Sequence, residues 1–382
     1  MKTKKLSFLE SMMLVAGAGI GTGLLSIPYA ISKIGIFGTL TALACAYIVS
    51  IAMYLILADL TRNSKRPEDL LGILNEHLFG GKGKKLLNIL FLILLVILLL
   101  ENLVVYIVCA GDVLTDLLGI HSIWAKIIFY VLATAVALFG VRGLGLGEKI
   151  SVMAIAAAVV ILSVLACFNV QGNISFTFGS PSTVSAVFGL FMFAFSAIFS
   201  IIQVCNHIEK PELTGKAIIG GLSLNALITF TFSVVAILGS ETVTEIATIG
   251  LSESIGNPFV KILCSILVLF AMFSSFWSSG FAFADVIGGQ IKVRPALAWL
   301  IATVPALLLA ALLPLTVLEF VQIGAGALSI ILVLVVLPAF AHAVKHPQKP
   351  LLLGTAAKHP ALLWVVAAAM IMMAVSSLIP IP

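Results

Sequence analysis

Residues 17–28 of the chain read GAGIGTGLLSIP, and the first seven of them include four glycines. They lie in the middle of an apolar segment that runs from residue 8 to residue 33. Each glycine disfavours a helix by about 1 kcal/mol relative to alanine, and Pro28 adds a kink. Because the glycines alternate, they lie all around a helix, whereas close helix packing would place them on one face. The stretch therefore predicts an apolar helix that is unwound at its centre, with close packing as the alternative interpretation.

The composition indicates a membrane protein. Of the 382 residues, 61% are hydrophobic and only 10% are charged, whereas a soluble domain is about 25% charged. Segments such as Leu86–Val108 and Pro295–Val317 reach the length of about 20 apolar residues that a spanning helix needs. An unwound stretch inside a membrane is tolerated only where it lines a protected cavity. We therefore predict an all-α polytopic membrane protein with a cavity beside residues 17–23.

Eleven apolar segments follow one another along the chain. Their approximate limits are 8–33, 37–61, 86–118, 123–141, 147–168, 182–206, 216–238, 258–290, 295–314, 316–338 and 360–380. With the N-terminus in the cytoplasm, 18 of the 21 lysines and arginines fall on the inner side, as the positive-inside rule expects. The odd number of spans then places the C-terminus outside. We predict a multi-pass protein of the cytoplasmic (inner) membrane, in contact with lipid.

The span lengths indicate an internal repeat. Residues 1–168 are predicted to form a first five-helix repeat, residues 182–338 a second one, and residues 360–380 an additional helix. In both repeats a long loop precedes an unusually long third span. Five is an odd number, so the second repeat is inserted upside down. Such inverted repeats are typical of secondary transporters, which bind substrate and ions where helices are interrupted.

The first span of the second repeat is the place where a matching interruption is expected. Residues 191–200 read FMFAFSAIFS and contain no glycine. The small residues among the phenylalanines suit a helix that opens beside an aromatic pocket. A continuous, packed helix is an equally good interpretation of these residues alone.

Two stretches resemble a known family. Residues 17–28 resemble the first-helix signature of the amino acid/auxin permease family, which belongs to the amino acid–polyamine–organocation superfamily with the LeuT fold. Residues 193–213, FAFSAIFSIIQVCNHIEKPEL, are similar to that family's sixth helix and the loop after it. The resemblance covers the whole chain and implies a LeuT-like 5+5 inverted repeat with an eleventh transmembrane helix. It also implies amino acid transport coupled to sodium or protons.

The resemblance also implies a substrate site. The substrate carboxylate would lie near Gly21, Thr22 and Gly23. The substrate ammonium group would meet backbone carbonyls near Ala18, Ala194 and Phe195. Many relatives have a glycine where this chain has Ser196-Ala197, so Ser196 is included in the site and bears on the shape of the pocket.

The eighth span carries a candidate sodium site. Residues 271–275, AMFSS, resemble the Ala-x-x-Thr/Ser-Ser pattern of sodium-coupled LeuT-fold carriers. The resemblance implies that the ligands are the Ser274 and Ser275 hydroxyls and the carbonyls of Ala271, Gly17 and Ile20. The alternative is that the serines only form hydrogen bonds within or between helices. A second pair, at residues 278 and 279, weakens the specificity of the pattern.

Glu101 lies at the centre of the third span, followed by Asn102. A charge at that depth costs at least about 2.5–3.5 kcal/mol. Three interpretations of Glu101 compete, namely a proton-coupling group, a ligand for a cationic substrate side chain, and a neutral hydrogen-bonding group. Because the third helix faces the substrate in this fold, Glu101 and Asn102 are included among the predicted substrate-binding residues.

These observations predict a secondary active transporter that carries a small neutral amino acid by alternating access, is coupled to sodium and works as a monomer. One alternative is a proton-coupled carrier that uses Glu101, and another is an amino acid receptor that does not transport. The basic residues are spread among loops, so no nucleic-acid partner is expected. The sequence contains no P-loop, HExxH, dinucleotide or nucleophile-elbow motif, and an enzyme is not predicted.

Overall fold

The computed structural model describes residues 5–21, 23–65, 70–78, 84–137, 139–312, 329, 331–345, 347–376 and 378–379. The helices are α1 (Phe8–Ile20), α2 (Gly23–Ile34), α3 (Ile36–Arg62), α4 (Leu70–His77), α5 (Lys84–Leu118), α6 (Ser122–Ala137), α7 (Gly140–Phe168), α8 (Pro181–Ala194), α9 (Ile198–His207), α10 (Thr214–Gly239), α11 (Ala247–Ile255), α12 (Pro258–Ile291), α13 (Pro295–Leu312), α14 (Leu332–Ala343) and α15 (Pro360–Ser376). Regular structure in the described part of the chain is thus helical, as predicted.

The helices agree with the predicted spans. Within the described residues, seven helical segments are long and apolar enough to cross a membrane, and the bent pair α1–α2 raises the number to eight. The shorter apolar helices α6, α14 and α15 overlap the predicted spans 123–141, 316–338 and 360–380. Residues 313–328, which include the acidic Glu319, lie outside the described residues. The limits of the two five-helix repeats and the positions of the termini stay predictions.

The fifth span begins earlier than predicted, because α7 starts at Gly140 and not at residue 147. The glycine-rich start of α7 reads as a loop, yet its glycines serve close packing between helices. A Cβ added to Gly147 would lie 2.7 Å from the ring of Trp277 on α12, and one added to Gly145 would lie 2.7 Å from Leu6. The following residue, Glu148, consequently lies inside a helix with its side chain fully buried.

The first and sixth spans lie at the centre of the helix bundle. The sixth span, Pro181–His207, comprises α8 and α9. Its apolar part is 83% buried, the largest share among the seven segments. Helix α1 packs against α10, α7 and α12, while α8 and α9 both pack against α3. The two spans that are expected to be interrupted are therefore surrounded by other helices, where irregular backbone is protected from lipid.

The start of α1 is tied to the end of α9. Ser7 caps α1, since its hydroxyl accepts from the Glu10 amide at 3.2 Å and its own amide donates to the Glu10 carboxylate at 2.8 Å. Just before this cap, the Leu6 amide donates to the His207 carbonyl at 2.7 Å, and the Glu209 amide donates to the Leu6 carbonyl at 2.8 Å. The start of the first span and the end of the sixth span are thereby joined on one side of the protein.

A buried carboxylate on the same side anchors the loop between α14 and α15. Asp59, near the end of α3, is 1% exposed and accepts from the amides of Leu352 at 2.6 Å and Leu353 at 3.2 Å. The side chain of Asn63 accepts from the Lys349 amide at 2.7 Å. Two side chains at the end of α3 thus accept hydrogen bonds from three amides of this loop and hold the loop in place.

We predict that Asp59→Ala destabilises the protein by about 1–3 kcal/mol, because the amides of two half-buried residues, Leu352 and Leu353, lose their acceptor. Asp59→Asn keeps one acceptor oxygen and should fall between Asp59→Ala and the wild type. The measurement is the melting temperature of the detergent-purified protein. Asp116→Ala is the control, since it breaks only the exposed pair with Lys261 and surface pairs contribute little. An unchanged melting temperature for Asp59→Ala would show that Asp59 does not stabilise the loop between α14 and α15.

Candidate functional site

Both central spans are interrupted at their middle. Helix α1 ends at Ile20 and α2 begins at Gly23, with a bend of 56° between the two helices. Helix α8 ends at Ala194 and α9 begins at Ile198, so the sixth span is broken and is not a continuous helix. The first break was predicted from its glycines, and Thr22 within it lies outside the described residues. Helix ends leave backbone N–H and C=O groups without partners inside the helix, and here four such ends meet.

Glycines allow the two broken spans to approach each other. A Cβ added to Gly23 would lie 2.5 Å from the Cβ of Ala194, and one added to Gly19 would meet the Ala194 carbonyl and the side chain of Asn225. The pattern at residues 17–23 therefore has two effects, since it interrupts the first span and it brings the start of α2 against the end of α8.

Two buried side chains satisfy backbone groups at the sixth-span break. The side-chain amide of Asn225 on α10 donates to the Ala194 carbonyl at 2.9 Å, and Thr229 donates to the Asn225 oxygen at 3.0 Å. The amide of Ala197 donates to the Tyr54 hydroxyl at 3.0 Å. The Ala194 carbonyl, which was expected to face the substrate ammonium group, is thus already engaged. Sequence reasoning missed Tyr54 and Asn225, although an asparagine in an apolar span is a visible signal.

A cavity lies where the two breaks meet. It is lined by Ala18, Gly19, Gly21, Leu98, Asn102, Tyr106, Phe193, Ser196, Ala197, Ile198, Phe199, Ser278 and Ser279. The predicted substrate-binding residues Ala18, Gly21, Asn102 and Ser196 are therefore brought together around one space. Gly23, Ala194 and Phe195 are not among the lining residues. Gly23 packs on Ala194, and the fully buried ring of Phe195 stacks 6.1 Å from that of Phe191.

Helix α5 presents Asn102 and not Glu101 to the cavity. Asn102 donates to the Leu98 carbonyl at 2.8 Å and accepts from the Tyr106 hydroxyl at 3.1 Å, and these three residues line the cavity. The carboxylate of Glu101 lies outside this lining. Its two oxygens are buried and have no hydrogen-bond partner within the described residues. Glu101 is thus not among the residues that line the cavity, and its role as a substrate ligand stays a prediction.

The predicted sodium ligands lie between α1 and α12. Ser274 and Ser275 are both fully buried. The Ser275 hydroxyl donates to the Ala18 carbonyl at 3.4 Å, and a Cβ on Gly21 would lie 2.6 Å from that hydroxyl. Ala271 and Ile20 are fully buried on the same two helices. Hydroxyl and carbonyl oxygens of this kind are the ligands that hard cations prefer.

Glu148 on α7 lies at the same place, and sequence reasoning missed it. Its side-chain Oε2 accepts a hydrogen bond from the Ser274 hydroxyl. A Cβ added to Gly17 would collide with Glu148 Oε2 and with Ser274 Oγ. The carboxyl group of Glu148 thus packs directly against the backbone of α1 beside the break. Glu148 lies at the start of the predicted fifth span, 147–168, but it was not singled out there.

The arrangement defines a class of protein. Two interrupted helices that face each other across a cavity, beside an oxygen-rich site, are the hallmark of LeuT-fold secondary transporters. The structure resembles MhsT in complex with L-phenylalanine, with a TM-score of 0.71, 14% sequence identity and coverage of 98% of this chain and 100% of MhsT. It also resembles Mhp1, a nucleobase-cation-symport-1 family transporter in a closed conformation with bromovinylhydantoin bound. That match has a TM-score of 0.69 and 12% identity, and it covers 99% of this chain and 92% of Mhp1.

The sequence itself matches the tryptophan/tyrosine permease family over residues 4–376, and the chain belongs to this family. Comparison with curated protein sequences gave no match. The predicted LeuT-like fold and the prediction of a multi-pass secondary transporter are thereby confirmed. Family and fold identify a transporter and not an enzyme. The narrower resemblance to the amino acid/auxin permease family stays a prediction.

We predict that Gly23→Ala lowers the melting temperature, because the new methyl group would push α2 away from Ala194. Alanine favours a helix by about 1 kcal/mol over glycine, so a loss of stability must come from this contact. Gly288→Ala on α12 is the matched control, since its nearest neighbour would be the Ala298 Cβ at an ordinary 3.8 Å. If Gly23→Ala is as stable as Gly288→Ala, the close approach of the two breaks is not needed.

Proposed function

We propose that the protein carries an amino acid with an aromatic side chain across the cytoplasmic membrane by alternating access. The observation that carries the proposal is the cavity at the two breaks, whose lining includes the rings of Tyr106, Phe193 and Phe199. Aromatic rings prefer offset or edge-to-face contacts with one another, so this lining suits a ring on the substrate. The family name and the phenylalanine bound to MhsT agree with this choice. The substrate would be neutral, as the sequence predicted, but larger.

The backbone at the breaks supplies polar groups for the ends of an amino acid. The start of α2 carries amide groups without helical partners and the positive end of a helix dipole, which favour a carboxylate. The end of α1 carries carbonyl groups without helical partners, and Ala18, which belongs to this turn, lines the cavity. A carbonyl with two lone pairs that already accepts from Ser275 can accept a second bond from an ammonium group.

Two further cavities of unequal size support alternating access. The larger encloses about 1410 Å³, including space open to solvent, and is lined by residues of α2, α5, α11 and α12 such as Leu25 and Asp112. The smaller encloses about 280 Å³ and is lined by residues of α4, α9 and α12 such as Gln203. Because the larger of the two cavities is the one beside α11, the difference in volume suits a conformation that is open on the side of α11. The positive-inside rule predicts that side to be external.

The cation that drives transport is proposed to bind between α1 and α12, with sodium as the predicted ion. Its ligands would be the hydroxyls of Ser274 and Ser275 and the carbonyls of Gly17, Ile20 and Ala271. The burial of both serines and their contacts with the α1 break support this assignment. The protein is expected to work as a monomer, because the substrate and ion sites both lie within one chain.

We predict that L-tryptophan, L-tyrosine or L-phenylalanine raises the melting temperature of the purified protein, whereas glycine and alanine do not. A ligand at 100 times its dissociation constant stabilises by about 2.7 kcal/mol. Tyr106→Ala should raise the dissociation constant of the aromatic amino acid about tenfold, because ring contacts are lost. A tenfold change in affinity is close to the about 0.5–1.5 kcal/mol that an aromatic pair contributes. Phe37→Ala, at a ring that is 51% exposed on α3, should leave the response unchanged.

Two outcomes would contradict this proposal. Stabilisation by glycine or alanine alone would restore the small substrate that the sequence predicted. Binding of an aromatic amino acid without uptake into liposomes would favour the non-transporting receptor.

We measure sodium dependence as the ratio of tryptophan affinity in sodium buffer to that in potassium buffer. We predict that this ratio falls at least tenfold in the double variant Ser274→Ala with Ser275→Ala. The change removes two of the proposed oxygen ligands. Ser163→Ala on α7 is the control, since its hydroxyl donates to the Val159 carbonyl within its own helix. A wild-type protein that binds tryptophan equally well in both salts would exclude sodium coupling.

A further inference from the structure

Asn102 has hydrogen-bonding capacity that its own helix does not use. Its side chain is 9% exposed and makes two hydrogen bonds within α5, one with Leu98 and one with Tyr106. A backbone carbonyl only accepts, so Nδ2 of Asn102 faces the Leu98 carbonyl and Oδ1 faces the Tyr106 hydroxyl. An asparagine side chain has two N–H donors and two acceptor lone pairs. Within the described residues, one N–H and one lone pair of Asn102 therefore remain for another partner.

The partner can come from the cavity at the two breaks, because Asn102 is part of its lining. This cavity encloses about 510 Å³, including space open to solvent, and small-molecule sites typically enclose about 300–1,000 Å³. Of the other lining residues, Phe193 and Phe199 offer no polar side-chain atom, and the Ser278 hydroxyl shares a hydrogen bond with Ser200 at 2.7 Å. The amide oxygen of Asn102 is thus a fixed acceptor in a largely aromatic wall.

Asn102 lies one helical turn from the part of the cavity that would hold the two charged ends of an amino acid. Tyr106 is beside the first break, where a carbon of its ring lies 3.5 Å from a Cβ placed on Gly21. Asn102 precedes Tyr106 by four residues, a separation of about 6 Å along α5. A substrate whose carboxylate and ammonium groups bind at the break must extend its side chain away from it. An aromatic side chain that follows α5 would bring the edge of its ring to Asn102.

From this geometry we propose that Asn102 determines specificity among aromatic amino acids, because its Oδ1 accepts a hydrogen bond from a donor on the ring of the substrate. The inference rests on the proposed transport function and deepens it by naming the residue that distinguishes one ring from another. Tryptophan carries such a donor as the N–H of its indole, and tyrosine carries one as the O–H of its phenol. Phenylalanine carries none.

The size of the preference follows from an exchange of partners. In the free protein, water can bind the remaining lone pair of Asn102. A substrate with a ring donor replaces that water, whereas one without a donor leaves the amide oxygen buried and unpaired. The loss of one hydrogen bond of this kind lowers affinity about tenfold. A site built to bind a ring donor therefore discriminates against the analogue that lacks it.

The first test uses the purified full-length protein and two matched pairs of ligands. The first pair is L-tryptophan and benzothienyl-L-alanine, an analogue of the same shape in which sulfur replaces the ring N–H. The second pair is L-tyrosine and L-phenylalanine. Calorimetric titration should give a dissociation constant about tenfold larger for the ligand without a ring donor. A preference in one pair alone would support the inference and show which ring reaches Asn102.

The second test asks whether Asn102 causes the preference. Asn102→Leu should bring the ratio of the two dissociation constants to about one, because leucine has a similar shape and no acceptor. A mere loss of packing would weaken both ligands of a pair alike and leave the ratio unchanged. Asn102→Ala removes the same oxygen and gives a second variant if Asn102→Leu does not fold. Asn169→Leu is the matched control, since exposed Asn169 also donates to a carbonyl four residues earlier, at 2.9 Å.

Tyr106→Phe tests the other acceptor at this place, since the Tyr106 hydroxyl donates to Asn102 and has lone pairs of its own. The variant should keep the wild-type ratios, because the Leu98 carbonyl still orients Asn102. Loss of the ratios in Tyr106→Phe but not in Asn102→Leu would overturn the inference and assign the role to Tyr106.

The failure of the inference differs from the failure of the proposed function. Equal dissociation constants within both pairs for the wild type, or wild-type ratios in Asn102→Leu and Asn102→Ala, would overturn the inference and leave aromatic amino acid transport standing. A wild type that binds none of the four ligands would refute the proposed substrate class and the inference with it.

Discussion

The rest of the structure depends on one constraint, which is that backbone polar groups inside a membrane must find partners without water. Two interrupted helices expose several such groups at the same depth. Some of these groups have side-chain partners. Asn225 donates to the carbonyl at the end of α8, and Tyr54 accepts from the amide at the start of α9. At the end of α1, Ala18 and Gly21 line the cavity, and the Ala18 carbonyl accepts a hydrogen bond from Ser275 of α12. Under the proposed function, a substrate with one carboxylate and one ammonium group would supply partners for the remaining backbone groups, so the need for partners would become the means of recognition.

The two breaks differ in how they are specified, and this difference limits what the sequence can predict. The break at residues 17–23 follows from local backbone preference, because four glycines weaken the helix wherever the chain goes. The break at Phe195–Ala197 has no such local cause. It is stabilised by Tyr54 and Asn225, which lie 143 and 31 positions away from their partners along the chain. Only the folded protein brings these groups together, and the sequence left a continuous helix equally acceptable.

The fifth span shows the opposite kind of failure, in which a strong local signal misplaced the start of a helix. A run with glycine at positions 140, 143, 145 and 147 is typical of a loop, and it displaced the predicted start of the fifth span to residue 147. In the structure these positions fall within α7, and Leu6 and Trp277 pack where side chains at residues 145 and 147 would otherwise stand. Glycine disfavours a helix only through its intrinsic preference, and tertiary packing readily outweighs about 1 kcal/mol per residue. The sequence singled out Ser274 and Ser275 on α12, whose role as ligands stays a prediction, but it did not single out the acid beside them.

The proposed substrate and cation sites share parts of a single helix end, and this sharing provides a physical route for coupling. The Ala18 carbonyl accepts from Ser275 and also lines the cavity, while Gly21 lines the cavity and packs on the same hydroxyl. On the other face of this turn, Gly17 is in contact with Glu148 and Ser274. Under the proposed function, a change in the ligands of Ser274 and Ser275 would therefore alter the position of groups that the substrate would bind. Coupling between two sites in proteins is typically worth about 1–3 kcal/mol. The loss or gain of one or two hydrogen bonds at this turn is of that size, so coupling would not require a signal to travel through the rest of the bundle.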